Sequence, residues 1–245
     1  MTDAASVGLA ARICPNCRSM LSIHSMQRTR VKICGVGHVE DALAAARAGA
    51  DAVGLVFHPD SRRSIQPQRA MEILAALPPF VSPVGLFVDL PVSAIWDAAR
   101  SLNLRHVQLQ GHESAEQVAE LRGLTVLKAI RVDPTTFGPE IEQWRRDIQR
   151  LKLTHLQGFV LDTAGSIGGS GIANNWELIA LHRKRGDFVG LPPIIAAGGL
   201  TADNVADVVR AVHPWAVDVS TGVESSPGRK SPEKIEAFIR AAQVS

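Results

Sequence analysis

Two residues that could exchange protons follow directly after short apolar runs of the sequence. The β-branched run at residues 30–33 leads to Cys34 and then turns at once on Gly35. Much later in the chain, the run at residues 158–161 leads to Asp162 in the same way. A thiol and a carboxyl group at two strand ends can serve as base and acid in one proton transfer. A buried cysteine can also be inert packing, so the elements that position both residues must decide.

The composition is that of an ordinary globular protein without a nucleic-acid or membrane partner. Of the 245 residues, 46% are hydrophobic and 20% are charged, and the formal net charge is +2. Four arginines and a single acid lie within residues 1–30, so the rest of the chain is nearly neutral. The body therefore lacks the basic patch that nucleic acids require. It also lacks the run of roughly 18 apolar residues that a membrane helix requires.

The first 28 residues differ from the rest of the chain and predict an irregular N-terminal extension. They contain arginine and serine, have almost no acids, and include the pair Cys14 and Cys17. A structural zinc needs four ligands, and no second such pair follows, so we predict no metal site. The segment is compatible with a disordered arm, an organelle-targeting segment, or upstream sequence with Met26 as the true start. Three cysteines without clear pairing favour a reduced, cytoplasmic protein.

From residue 29 to 245 the sequence alternates between strand and helix patterns eight times. Near-continuous apolar runs are typical of parallel strands that are covered on both faces. We therefore predict an α/β fold, a single (β/α)8 TIM barrel. The alternative is an open, doubly wound sheet, but no glycine-rich dinucleotide turn follows the first strand. The predicted strands are 30–34, 52–57, 83–88, 105–109, 125–130, 157–161, 193–197 and 216–220.

Helix signals separate the predicted strands. Gly49 stands where the first helix should end, and Pro67 is placed to open the second. Ser114 with Gln117 has the spacing of a capping box. Thr201 is expected to start the seventh helix, and Ser231 precedes a proline that should open the eighth.

Two loops at predicted strand ends have the composition of a phosphate site. The seventh strand closes on Gly198 and Gly199, and the eighth is followed by Ser220, Thr221 and Gly222. Glycines let backbone amides approach an anion, hydroxyl groups add donors, and a following helix N-terminus adds partial positive charge. Because the seventh and eighth loops of such barrels recurrently hold phosphate, we predict a phosphate-binding site here.

The sixth loop, residues 163–171, directly follows Asp162 and contains four glycines. Such a segment is either a flexible surface connection or a lid that closes over a substrate. Its position next to a candidate acid favours the lid.

Nine motifs follow one another along the body of the chain. Together, from about residue 30 to 242, they resemble the phosphoribosylanthranilate isomerase family. The resemblance implies a (β/α)8 fold and a cofactor-free Amadori rearrangement of a phosphorylated sugar–anthranilate. The motifs are KICG (32–35), EDALAAARAGADAVGLVF (40–57), SRRSI (61–65), VGLFVD (84–89), VQLQG (107–111), LDT (161–163), GGSG (168–171), AAGGL (196–200) and DVSTGVE (218–224).

The resemblance also implies roles for single residues. Cys34 would be the general base, which requires a lowered thiol pKa, and Asp162 the general acid, which requires a raised one. Arg63 would hold the anthranilate carboxylate through its planar guanidinium. Asp218 would contact the sugar or the anthranilate amine, and Gln110 would lie at the substrate.

The chain departs from the family pattern at several positions. Gln110 stands where the family commonly has histidine, Ile172 where the lid commonly has lysine, and Gly37 where a polar residue is usual. None of these changes removes the base or the acid. The sequence leaves open whether the protein is a monomer or a homodimer.

Two other functions remain possible from the sequence. The first is a different sugar-phosphate barrel enzyme, either an indole-glycerol-phosphate synthase or a sugar-phosphate epimerase. The synthase would need lysines at strand ends, and Lys128 is the one candidate. A metal-using epimerase would need paired histidines at the same rim. A non-catalytic barrel that binds a phosphorylated ligand is the second alternative, and measured turnover would exclude it.

Overall fold

The computed structural model describes residues 28–163 and 174–243, and their strands close into a barrel. Within these residues eight parallel strands pair in chain order, and β8 pairs with β1 to complete the closure. The predicted TIM barrel is confirmed. The strands are β1 (Arg30–Cys34), β2 (Ala52–Val56), β3 (Ser82–Phe87), β4 (His106–Leu109), β5 (Thr125–Val132), β6 (Leu156–Thr163), β7 (Ile194–Ala196) and β8 (Ala216–Val219).

Helices follow the strands and pack around the barrel, as the sequence pattern predicts. Gly49 ends α1 in the left-handed conformation with φ 95°, and Pro67 opens α2. Ser114 and Gln117 form both hydrogen bonds of the capping box at α4. The helices are α1 (Val39–Ala48), α2 (Pro67–Ala76), α3 (Val92–Ser101), α4 (Ala115–Glu120), α5 (Phe137–Leu151), α6 (Trp176–Arg185), α7 (Val205–Val212) and α8 (Pro232–Ala242).

The predicted start of the seventh helix is wrong by one turn. The helix begins at Val205 rather than at Thr201. The side chain of Asn204 accepts a hydrogen bond from the Thr201 N–H at 2.9 Å and donates one to the Gly199 carbonyl at 2.9 Å. Since asparagine competes for backbone groups in this way, it holds residues 201–204 as turns against the preceding loop.

The chain after β8 contains a hairpin that the sequence pattern does not reveal. Directly after β8 the chain forms a 3₁₀ turn, Thr221–Val223. It is followed by the antiparallel strands β9 (Glu224–Ser226) and β10 (Arg229–Lys230). These strands have two or three residues each, which is too short for a period-two pattern to be read. The hairpin nevertheless places Glu224 and Lys230 beside the carboxyl end of the barrel.

Apolar residues fill the barrel on both sides of its wall. Phe87, Phe137 and Phe159 are fully buried in the layer between strands and helices. A smaller cluster that includes Val160 and Ile195 fills the inside of the barrel. This double coverage explains why the strands read as continuous apolar runs.

Some sequence predictions fall on residues that the structure does not describe. The extension over residues 1–28, with Cys14 and Cys17, lies almost entirely outside the described part. The proposed lid at residues 163–171 does so as well, apart from its first residue. Among the described helices, none combines the length and the apolar character needed to cross a membrane.

Candidate active site

A cavity of about 740 Å³ opens at the carboxyl ends of the strands. Barrel enzymes carry their active sites at this end, because the βα loops gather there. The cavity brings together every site residue that the sequence predicts. These are Cys34, Arg63, Gln110, Asp162, Gly198, Gly199, Asp218, Ser220, Thr221 and Gly222.

Cys34 ends β1 and lies in the cavity wall, with 8% of its surface exposed. Its neighbour in register on β2 is Gly54. A Cβ atom at Gly54 would lie 2.8 Å from the Cys34 sulfur and 3.2 Å from Lys32 Nζ. Glycine therefore leaves the space in which thiol and ammonium lie side by side.

Lys32 connects Cys34 to Asp218. Residues 32 and 34 lie on the same face of β1 because side chains alternate along a strand. Lys32 Nζ donates to both carboxylate oxygens of Asp218, each at 2.9 Å, and its charge also acts on the Cys34 sulfur beside it. Burial alone would lower the pKa of Lys32, but the two acidic partners outweigh it and raise the pKa. The lysine therefore remains an ammonium ion inside the barrel.

The pKa of Cys34 is raised from its ordinary value. Burial of the thiol is the largest cause, and Asp218 adds to it, whereas Lys32 and Lys230 act in the opposite direction. The lowered pKa that the sequence analysis expects is thus wrong for this structure, because desolvation exceeds the effect of the two ammonium groups. Cys34 is a neutral thiol near pH 7 here.

Asp162 is the penultimate residue of β6 and is 7% exposed. Its Oδ2 accepts a hydrogen bond from Gln110 Nε2 at 2.8 Å, and Gln110 in turn accepts one from Gln108 Nε2 at 2.7 Å. Gln108 Oε1 is buried and has no hydrogen-bond partner among the described residues. The two amides fix the orientation of the carboxyl group toward the cavity.

The two glycine-containing loops touch each other, as a shared phosphate site requires. Gly198 and Gly199 both have positive φ, 91° and 65°. A Cβ atom at Gly222 would collide with the carbonyl oxygen of Leu200, so only glycine permits this approach of the loops. Beneath them, Lys230 Nζ donates to the Ser220 carbonyl at 3.0 Å. The predicted phosphate site thus combines two loops whose backbones lie close together with the buried cation Lys230.

Arg63 reaches the cavity from the loop after β2 and is already paired. Its Nε and Nη2 donate to the carboxylate of Glu224 at 2.6 and 2.9 Å, and Nη2 also donates to Thr221 Oγ1 at 3.1 Å. The Glu224 hydrogen bond is the main cause that raises the pKa of Arg63. Glu224 also accepts from Lys230 at 3.1 Å. The guanidinium is therefore held in place at the rim.

Sequence reasoning missed three charged residues of this site, namely Lys32, Glu224 and Lys230. A signal for Lys32 existed, since a lysine two positions before Cys34 must share its strand face. For Glu224 and Lys230 no pattern was available, because they are placed by the short hairpin.

Lys128 lies on the opposite face of the wall from the cavity. Its Nζ pairs with Glu113 at 3.0 Å and donates to the carbonyl of Gly111 at 2.7 Å. Its register neighbour Leu109 belongs to the core between strands and helices. Lys128 therefore does not supply the strand-end lysine that the synthase alternative needs. In the part of the chain that is described, no group of three metal-ligating side chains occurs.

These features of the barrel and its cavity define a class of protein. A closed (β/α)8 barrel whose mouth gathers a buried thiol, buried carboxylates and two touching glycine loops is a barrel enzyme for a small anionic substrate.

Comparison with known proteins identifies the family within this class. Residues 31–241 match the family model described as N-(5'phosphoribosyl)anthranilate (PRA) isomerase. An N-(5'-phosphoribosyl)anthranilate isomerase from Geobacter metallireducens is 44% identical over 217 residues, which cover 88% of this chain and 99% of the relative. One from Pseudomonas paraeruginosa is also 44% identical, with 89% and 97% covered. The chain belongs to this isomerase family.

Solved structures agree with the sequence relatives. Phosphoribosyl anthranilate isomerase from Thermotoga maritima superposes with a TM-score of 0.73 at 38% identity and covers 87% of this chain and 98% of its own. A second structure, with a TM-score of 0.71, is a complex of such an isomerase with reduced 1-(o-carboxyphenylamino)-1-deoxyribulose 5-phosphate. A further one concerns monomers generated from the dimeric Thermotoga maritima enzyme.

Proposed function

We propose that the protein converts N-(5'-phosphoribosyl)anthranilate to 1-(2-carboxyphenylamino)-1-deoxy-D-ribulose 5-phosphate, with Cys34 as general base and Asp162 as general acid. The observation that carries this proposal is a single cavity lined by both groups and by the two glycine-containing loops. The relative that binds a reduced form of this product supports the choice of substrate. The reaction belongs to tryptophan biosynthesis.

The first step is opening of the sugar ring. A protonated Asp162 gives its proton to the furanose oxygen, and the C1'–O bond breaks to leave a Schiff base with the anthranilate nitrogen. The Gln110 amide donates to Oδ2 of Asp162 and so orients this side chain at the cavity wall.

The second step is removal of the C2' proton. Cys34 acts as the thiolate and takes this proton, and the electron pair moves toward the Schiff base to give an enolamine. The enolamine then tautomerises to the ketone, which completes the aldose-to-ketose isomerisation. The nearby ammonium of Lys32 stabilises the thiolate relative to the thiol. These steps use protons of the protein and substrate alone.

The remaining residues bind the substrate at its two ends. The phosphate would lie against Gly198, Gly199 and the loop 220–222, where Lys230 adds positive charge from below. Arg63 would face the anthranilate carboxylate with Nη1, while Glu224 holds Nε and Nη2. Asp218 would contact the sugar or the anthranilate amine.

The test is turnover measured as the loss of anthranilate–sugar fluorescence with freshly made substrate. We expect Cys34→Ala and Asp162→Asn each to lower kcat by about 10²–10⁴, the usual contribution of general acid–base catalysis. Inorganic phosphate should bind both variants as it binds the native protein. Near-normal turnover in both variants would reject the mechanism, and absence of turnover in the native chain would favour a non-catalytic binding protein.

A further inference from the structure

The buried cation Lys32 neither gives nor takes a proton in the steps above, yet it lies beside the base and pairs with Asp218, a residue that the substrate would reach. Its side chain lies under the cavity, 5% exposed, and the Asp218 carboxylate is 7% exposed. Lys32 and Asp218 are register partners on the neighbouring strands β1 and β8. Such a pair inside a barrel is not needed to close the sheet, which the backbone hydrogen bonds already do.

Four charged residues act on the Cys34 sulfur. Lys32 is beside it on β1, Asp218 faces it from β8, Lys230 approaches from β10, and Arg63 from the loop after β2. Arg63 and Lys230 are both held by Glu224, and Lys230 also by the Ser220 carbonyl. Lys32 differs from them, because it pairs with Asp218, a residue that the substrate would reach, and lies beside the thiol that must become the base.

We propose that Lys32 is a positioning residue whose charge is shared between Asp218 and Cys34, and that a substrate engaging Asp218 turns this charge toward the sulfur. The inference rests on the proposed function, in which Asp218 contacts the sugar or the amine. A substrate N–H or O–H that donates to Asp218 would satisfy part of its charge. Lys32 would then favour the thiolate, and the base would form when a substrate is present.

This arrangement would protect Cys34 from side reactions when no substrate fills the cavity. A permanent thiolate would react with oxidants and electrophiles in the absence of a substrate. In the free protein, Asp218 keeps the ammonium occupied and burial keeps the thiol protonated. Gly54 provides the room in which Nζ can move between its two partners.

The first experiment measures the iodoacetamide alkylation rate of Cys34 in the full chain as a function of pH. The peptide that carries Cys34 is followed by mass spectrometry, because the full chain contains two further cysteines, Cys14 and Cys17. We expect Asp218→Asn to move the midpoint of this profile at least one pH unit below that of the native protein. At pH 7 this means about a threefold faster reaction, since tenfold more thiolate is partly offset by its lower nucleophilicity.

A matched control separates this effect from a general loss of buried charge. Glu113→Gln removes a buried carboxylate that also pairs with a lysine but does not line the cavity, and it should leave the Cys34 midpoint unchanged. An Asp218→Asn midpoint that equals or exceeds the native one would overturn the proposal. An equal shift in Glu113→Gln would do the same.

Variants of Lys32 test the opposite direction. Lys32→Met should raise the midpoint, and the double variant with Asp218→Asn should still lie above the native value, since Lys32 acts on the thiol more strongly than Asp218 does. The double variant leaves no unpaired buried charge, so it stands in for the single one if that fails to fold. A double variant as reactive as Asp218→Asn alone would refute the role of Lys32.

The second experiment tests the coupling to ligand by calorimetry at pH 8 in buffers of different ionisation enthalpy. The probe is reduced 1-(o-carboxyphenylamino)-1-deoxyribulose 5-phosphate. We expect binding to release a measurable fraction of one proton from the native protein, and none from Cys34→Ala. Equal proton release from both would reject the coupling. If the probe does not bind at all, the proposed function fails, whereas the alkylation results on the free protein still report on the Lys32–Asp218 pair.

Discussion

Two lysines inside this barrel are alike in chemistry and opposite in placement. Lys32 and Lys128 lie on strands, are 4% and 3% exposed, and each pairs with a buried carboxylate. Lys32 faces the inside of the barrel beneath the cavity and lies beside Cys34. Lys128 faces the helix side and donates to backbone carbonyls of the loop after β4. The face of the strand that carries the side chain therefore decides that Lys32 lies at the reacting groups and that Lys128 is structural.

The surroundings give the two ammonium groups opposite pKa shifts. Burial lowers the pKa of Lys128, and Glu113 compensates only in part. For Lys32 the same burial is outweighed by Asp218 and Cys34, so its pKa is raised. A buried lysine with two acidic neighbours therefore keeps its charge and can act on both of them. Lys128, whose hydrogen-bonded acidic partner is Glu113, mainly holds the loop after β4.

The largest difference between the two lysines should appear in turnover. We expect Lys32→Met to reduce kcat/KM roughly 100-fold, the lower end of what a general base contributes, because without the ammonium a smaller fraction of Cys34 is thiolate. Lys128→Met should leave kcat within about threefold, because it does not line the cavity. Its cost should be about 3–5 kcal/mol of unfolding free energy, since Glu113 is left as an unpaired buried charge. Steady-state kinetics and urea unfolding measure these effects, and similar losses of turnover in both variants would abolish the distinction.

The pH dependence of the residual activity tests whether Cys34, the group beside Lys32, is the base. In Asp162→Asn the acid no longer titrates, so the remaining activity should follow the thiolate of Cys34 alone. Because burial raises the pKa of this thiol, the thiolate fraction is small at neutral pH and grows about tenfold per pH unit. Residual kcat/KM should thus rise about 100-fold between pH 6 and 8. A flat profile would show that Cys34 is not the base.

The smallest expected effect on catalysis concerns the two glycine-containing loops of the phosphate site, which line the same cavity as Cys34 and Asp162. Gly222→Ala pushes a methyl group into the Leu200 carbonyl and should raise KM about tenfold with little change in kcat, the sign of lost uniform binding. Gly37→Ala is the matched control, as its Cβ would lie 3.6 Å from the nearest atom, in Ile65. A fall in kcat with constant KM for Gly222→Ala would instead place this loop at the reacting atoms.

Local sequence signals predicted most of the fold and the membership of the site. Continuous apolar runs, Gly49, Pro67 and the Ser114–Gln117 box act over a few residues, and all were confirmed. Cys34 and Asp162 could be located because strand ends in a barrel meet at one mouth. All ten predicted site residues line that cavity, although their individual roles stay predictions.

The misses come from interactions that the helix and strand patterns of the sequence do not show. The start of α7 depends on an asparagine that binds the Gly199 carbonyl rather than on an intrinsic helix signal. The direction of the Cys34 pKa shift depends on desolvation by several strands against two ammonium groups. Such balances require the assembled structure, since no single segment contains both sides.

The closure of the barrel by its first and last strands has a consequence for synthesis. Lys32 meets Asp218 across 186 positions of chain, so this pair forms only after nearly the whole polypeptide has left the ribosome. A nascent fragment can build early βα units, but it lacks the anion that restrains the ammonium and the loop that would bind phosphate. Pairing between such remote segments is also expected to be slow. Catalytic competence should therefore appear late and all at once, and premature termination products should be inert.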